Sequence, residues 1–75
     1  MRFREWLFKQ HLRPDVVGDI ARDAIEDYKT RKSNEIPYPK RFSPSTFRAY
    51  LVQLGVRGPA LHALDVAIAE WKALG

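Results

Sequence analysis

Val16-Val17-Gly18-Asp19-Ile20-Ala21-Arg22-Asp23-Ala24-Ile25-Glu26-Asp27-Tyr28-Lys29 is the stretch that decides the fold. Val16, Val17, Ile20, Ala21, Ala24, Ile25 and Tyr28 recur at the three- and four-residue spacing of an α-helix and cover nearly half of its circumference. Asp19, Arg22, Asp23, Glu26, Asp27 and Lys29 fill the remainder. Such a helix is amphipathic and must bury one side against neighbours. Pro14 disfavours a helical Arg13, and Asp15 is placed to accept the first unpaired backbone N–H groups, so the helix starts there and runs to about Lys29.

Upstream, Phe3, Trp6, Leu7 and Gln10 share a face of a first helix over residues 2–12. Phe8 and Leu12, four apart, project from another side, so this helix is either covered twice or leaves an apolar patch exposed. Downstream, periodicity lapses from Thr30 to Phe42, where Ser33, Asn34, Pro37 and Pro39 predict a mostly extended loop. Ser43-Pro44-Ser45 reads as a helix start, with Ser43 as N-cap and Pro44 where its missing N–H costs nothing. Phe47, Tyr50, Leu51 and Leu54 form that helix's inward face, and Gly55 supplies the left-handed residue that ends it. Gly58-Pro59 opens a last helix with Leu61, Leu64, Ile68 and Trp71 at core spacing. Ala60, Ala63 and Ala67 allow close backbone approach. No alternating strand segment or internal repeat interrupts the pattern. The expectation is one all-α domain over residues 1–75, a compact irregular bundle of four to five short helices.

Composition supports a dense core. A chain of 75 residues hides only about 60% of its unfolded surface, yet this one is 45% hydrophobic, with four phenylalanines, three tyrosines and two tryptophans. With no cysteine, it has no disulfide or thiolate metal site to hold it together. Apolar runs fall well short of the roughly 20 residues that cross a bilayer, and the start lacks a secretory apolar segment. No membrane association and a cytoplasmic location are therefore expected. Thirteen basic against nine acidic side chains give a net charge of +4 and a pI near 9.8. That balance permits attraction to phosphate or to an acidic protein surface.

Several motifs taken in order resemble the YozE family: Phe3-Arg4-Glu5-Trp6-Leu7-Phe8-Lys9, Gly18-Asp19-Ile20-Ala21-Arg22-Asp23, Asp27, Tyr38-Pro39-Lys40, Phe47-Arg48-Ala49-Tyr50-Leu51 and Ala67-x-x-x-Trp71. The resemblance spans nearly the whole chain. It implies a small bacterial or phage-encoded domain with a fold similar to the sterile alpha motif, and it leaves function undefined. Between Asp27 and Tyr38 the chain is longer than the family pattern. Leu54-Gly55-Val56 also resembles the leucine-glycine-isoleucine turn before the end helix of sterile alpha motif domains.

The densest positive region comprises Lys29, Arg31, Lys32, Lys40, Arg41 and Arg48, with Glu35 the one acid among them. Lys and Arg there would neutralise nucleic-acid phosphates, with Ser43, Ser45 and the following helix N-terminus accepting an oxygen. The plainer reading is a solvated loop kept soluble by charge, since no base-reading motif accompanies it. Asp15, Asp19, Asp23 and Asp27 recur every four residues as an acidic ridge. That spacing belongs to a helix and not to a calcium loop. Asp15 reads as a cap and Asp19 as a partner of Arg22. In sterile alpha motif assemblies an acidic middle surface docks on the basic start of a neighbour's end helix. Arg57 stands at that position here, and such a heterologous contact gives open chains.

The basic, aromatic start, from Arg2 to Arg13, has the composition of a membrane-surface helix, but docking of Phe3, Trp6 and Leu7 into the core accounts for it. His11, His62 and Asp65 are too poorly spaced for zinc. There is no thiol, nucleophile elbow or phosphate-cradling glycine loop, so no enzyme, cofactor, metal or small-molecule substrate is expected. The reading is a non-catalytic module contacting DNA or RNA phosphates through Arg31, Lys32, Lys40, Arg41 and Arg48. Its alternative is a protein-interaction adaptor, self-associating in one form, that uses Asp15, Asp19, Asp23 and Arg57 or the Phe8 and Leu12 patch.

Overall fold

The computed structural model describes residues 1–33 and 43–74. Among them the elements are α1 (Phe3–Lys9), a 3-10 turn (Gln10–Leu12), α2 (Val16–Ser33), α3 (Pro44–Gln53) and α4 (Gly58–Ala73). All regular structure in the described residues is helical, as the periodicity requires.

Each boundary has a local cause. The first predicted helix tightens into the 3-10 turn at Gln10, whose side-chain amide donates to the Trp6 carbonyl at 2.9 Å. Gln10 is thereby half-buried at the edge of the core face. Asp15 accepts the Gly18 N–H at 3.1 Å and opens α2. Contrary to the expected loop from Thr30, α2 continues through Ser33. Arg31 pairs with Asp27 one turn back, and Arg31 and Lys32 sit in the last turn, where positive charge complements the exposed carbonyls. These interactions outweigh the loss of apolar periodicity.

Ser43 caps α3 by accepting the Thr46 N–H at 3.3 Å, and Pro44 occupies the first turn. At the other end, Val56 N–H reaches the Leu51 carbonyl and Gly55 N–H reaches Val52, while Gly55 adopts φ +76°. This is a Schellman closure, and it requires the left-handed residue that glycine supplies most cheaply. Leu54, expected inward, is instead 45% exposed because it sits past the last full turn. Val56 takes its place against the core. Val16 is likewise exposed, at the edge of its helix.

One hydrophobic cluster draws on all four helices: Phe3, Trp6 and Leu7 from α1, Val17, Ile20, Ala21 and Ala24 from α2, Phe47 and Leu51 from α3, and Ala63, Leu64 and Ala67 from α4. Among the described residues no polar or charged side chain is buried. Small residues on α2 and α4 let these two helices pack closely. Trp71 lies edge-on to Phe3, with ring centroids 5.5 Å apart, and its indole N–H donates to the Met1 carbonyl at 3.1 Å. The aromatic start is thus core, and a membrane-surface role would strip α4 of its cover. No described helix is long and apolar enough to cross a membrane.

Between α1 and α2 the backbones nearly touch. A Cβ built on Gly18 would stand 1.9 Å from the Arg13 carbonyl oxygen, so the chain reversal fits against α2 because position 18 carries no side chain. Arg13 is fixed there by Asp15 at 2.6 Å and by Glu70 of α4 at 3.1 Å. Arg22 donates to the carbonyls of His11 and Arg13 and pairs with Asp19.

Candidate functional site

The residues expected to meet phosphate separate into three groups. Lys40 and Arg41 lie outside the described residues. Arg31 and Arg48 are present but engaged. The Arg31 Nε donates to Asp27 at 3.0 Å, and its guanidinium lies 5.2 Å from the centre of the Tyr50 ring. Arg48 on α3 grips Asp65 of α4 through two nitrogens, at 2.9 and 3.3 Å. The Asp27 and Asp65 hydrogen bonds hold the Arg31 and Arg48 guanidinium pKa values above the ordinary one. Arg48 in turn keeps the Asp65 carboxyl below the usual carboxylate range. A phosphate reaching either arginine must compete with a carboxylate already in place.

Lys32 is different. It forms no ion pair among the described residues, and its ammonium sits 5.8 Å from the centre of the Tyr28 ring. From α1, the Arg4 guanidinium approaches the same ring at 5.6 Å. Phe8, one turn beyond Arg4, packs against Tyr28 with centroids 5.9 Å apart and planes inclined by 59°. Tyr28 and Phe8 are both half-buried and lie where the core opens, since no residue of α2 beyond Ala24 is buried. Two helices therefore bring two unpaired cations to one aromatic ring, with Lys29 on the adjoining turn. Cations so placed are attracted to the ring quadrupole while keeping their charge toward water.

The same accounting across the described surface shows where the positive excess lies. Arg13, Arg22, Arg31 and Arg48 are matched by Asp15, Glu70, Asp19, Asp27 and Asp65. Arg2, Arg4, Lys9, Lys29, Lys32, Arg57 and Lys72 enter no such pair. Most of these are on α1 and the end of α2.

The acidic ridge is largely spent within the molecule. Asp15 caps α2 and binds Arg13, and the Arg13 hydrogen bond draws its carboxyl below the ordinary range. Asp19 pairs with Arg22, as the spacing anticipates. Asp27 accepts from Arg31 and from the Tyr50 hydroxyl at 2.8 Å, and so joins α2 to α3. Burial and that bond push the Tyr50 phenol up to about 12. Asp23 alone of the four is exposed without an ion pair. Arg57 is the N-cap residue of α4 and offers no side-chain cap bond. Of the apolar pair, Phe8 is absorbed by Tyr28, while Leu12 is 83% exposed.

A shallow depression of about 420 Å³ beside α3 is lined by Ser45, Thr46, Ala49, Tyr50 and Gln53. Among the described residues its lining holds no carboxylate, imidazole or thiol. Ser43 already caps Thr46, which uses up part of the α3 N-terminus as an anion site. His11 and His62 are exposed on separate elements, and no three metal-binding side chains gather among the described residues.

No family model matches the chain, and no curated protein or solved structure matches it. The surface around Tyr28 is therefore the feature that must carry a functional reading. The sequence names Lys32 as a candidate and gives no sign that Arg4 and Tyr28 lie beside it. The four-residue spacings of Arg4 with Phe8 and of Tyr28 with Lys32 were visible, but only the packing of α1 against α2 brings them together.

Proposed function

We propose that this domain is a non-catalytic binding module that contacts nucleic-acid phosphates through the cationic surface of Arg4, Lys29 and Lys32, extended in the chain by Lys40 and Arg41. One observation carries the reading: Arg4 and Lys32 converge on Tyr28 without a carboxylate partner among the described residues, whereas Arg13, Arg22, Arg31 and Arg48 are each matched in an ion pair. Uncompensated cations clustered on a rigid surface release counterions when they meet a polyanion. Arg31 and Arg48 become supporting residues, since each must first leave its carboxylate. The motif order shared with YozE supports assignment to that class of small accessory domain, similar to the sterile alpha motif.

The test is the salt dependence of oligonucleotide affinity. Affinity should fall steeply as salt rises, and alanine at Arg4 and Lys32, or at Lys40 and Arg41, should reduce the log–log slope by about one per lost contact. Affinity indifferent to salt, or a slope that survives all four substitutions, refutes the reading.

A protein-interaction adaptor is the second reading, and the 83% exposed Leu12 favours it. It predicts oligomers that dissolve on Leu12→Asp or on charge reversal at Asp23 or Arg57. A monomer whose mass changes only with added nucleic acid excludes self-association.

A further inference from the structure

We infer that Tyr28 is a positioning residue: its ring holds the Arg4 guanidinium and the Lys32 ammonium in place, so that two like charges meet a polyanion as one preset unit. The inference rests on the phosphate-binding reading above and goes further by assigning the role of the ring, which acts through the two cations and not by touching the nucleic acid.

Two pairs of residues, each one helical turn apart, face each other here: Arg4 and Phe8 on α1, Tyr28 and Lys32 on α2. Phe8 braces the Tyr28 ring with centroids 5.9 Å apart, and both rings are half-buried. The ring is thereby fixed by packing, while the two cations are exposed and lie 5.6 and 5.8 Å from its centre. Their charges are no more than about 12 Å apart, a separation at which they repel one another. Long side chains without an anchor also spread among many rotamers. The negative face of an aromatic ring opposes both tendencies.

A ring suits this task better than a carboxylate. The carboxylates that fix Arg31 and Arg48 also cancel their charge, and a phosphate must displace them. Arg31 lies 5.2 Å from the centre of the Tyr50 ring, yet Asp27 takes its Nε. Arg4 and Lys32 enter no ion pair among the described residues, so Tyr28 restrains them and leaves their full charge for phosphate. Holding both before any ligand arrives removes part of the ordering cost of binding. The cations alone set how many phosphates are engaged, so the ring should govern affinity without altering its salt dependence.

Fluorescence anisotropy on the full chain, with a short labelled DNA oligonucleotide as single strand and as duplex, reads the affinity and its salt slope. Tyr28→Phe keeps the ring and should bind as the parent does. Tyr28→Leu should weaken binding by about 3- to 10-fold, the scale of ordering one rotamer-rich side chain anew, at an unchanged slope. Arg4→Ala, by contrast, should lower the slope by about one. Phenylalanine carrying one, two or three ring fluorines at position 28 keeps the shape of the ring and drains its negative face. Affinity should fall step by step along that series, a response that packing alone would not give, and the series decides the matter if Tyr28→Leu fails to fold. With Arg4→Ala and Lys32→Ala together the series should become flat, because the ring has nothing left to hold. Salt-dependent binding that ignores the fluorine series, or a fluorine effect that persists without the two cations, overturns the positioning role and leaves phosphate binding standing. Failure of the parent chain to bind either form overturns both readings.

Discussion

Replacing Gly18 with alanine should destabilise this protein, although alanine in place of glycine inside a helix ordinarily stabilises by up to about 1 kcal/mol. The sign reverses because of one contact. The new Cβ would sit 1.9 Å from the Arg13 carbonyl oxygen and 2.7 Å from its carbon, far inside van der Waals range, and both are backbone atoms that cannot rotate away. The reversal between α1 and α2 would have to lift by more than an ångström. It is held down at several points: Arg13 to Asp15 and Glu70, and the Arg13 carbonyl to Arg22 at 3.0 Å. Overpacking of this kind costs about 1–3 kcal/mol, with the exposed hydrogen bonds adding little. A clash as close as 1.9 Å belongs at the upper end of that range, so after the helix gain of up to about 1 kcal/mol a net loss of about 2 kcal/mol remains, a large share of the margin of a small domain. In urea it should lower the unfolding midpoint by about 1 M at a slope of about 2 kcal/mol/M. Gly18→Ser should fare no better, since it carries the same Cβ. A midpoint equal to or above that of the parent would refute the close approach of Arg13 to α2.

Two further outcomes follow from the caps and the buried phenol. Ser43→Ala removes the acceptor for the Thr46 N–H and should cost about 1 kcal/mol, read as a fall in thermal midpoint, while Ser43→Asp should restore most of it. The Tyr50 phenol is raised in the folded state to about 12 from 10.0, so its contribution is complete below pH 10.0 and is lost as pH rises towards about 12. The stability difference between the parent and Tyr50→Phe should therefore shrink across that window, and a difference constant with pH would contradict the buried bond to Asp27.

The all-helical bundle was legible because periodicity and capping chemistry agree. Ser43-Pro44 and Gly55 mark the ends of α3 by stereochemistry alone, and the buried stripe of α2 is written in its apolar spacing. Apolar spacing stops tracking the fold where side-chain interactions outlast it. The last turn of α2 is held by Arg31 on Asp27 and by Lys32 on Tyr28, neither of which apolar periodicity registers. Leu54 has core spacing but follows the end of its helix, so spacing misplaced it. Gly18 carries a signal of a different kind: a glycine costs a helix interior about 1 kcal/mol against alanine, and its presence points to a close backbone approach.

The basic region was legible as composition and not as a surface. Counting charges placed Arg31 and Arg48 beside Lys32, but the fold gives the two arginines carboxylate partners. It also brings Arg4 across from a helix far away in sequence. Likewise the acidic ridge, regular in sequence, is mostly consumed by a cap and by pairs within the domain. Charge patterns reveal what a chain carries, and tertiary pairing decides what remains for a partner.

The most direct test of the cationic surface is a map of backbone amide shifts by nuclear magnetic resonance as an oligonucleotide is added at low salt. The account predicts that the largest changes fall on Arg4, Phe8, Tyr28, Lys29 and Lys32, with Asp65 and the outer face of α4 unmoved. Changes centred on α4 or on Leu12, with Tyr28 and its neighbours silent, would contradict it.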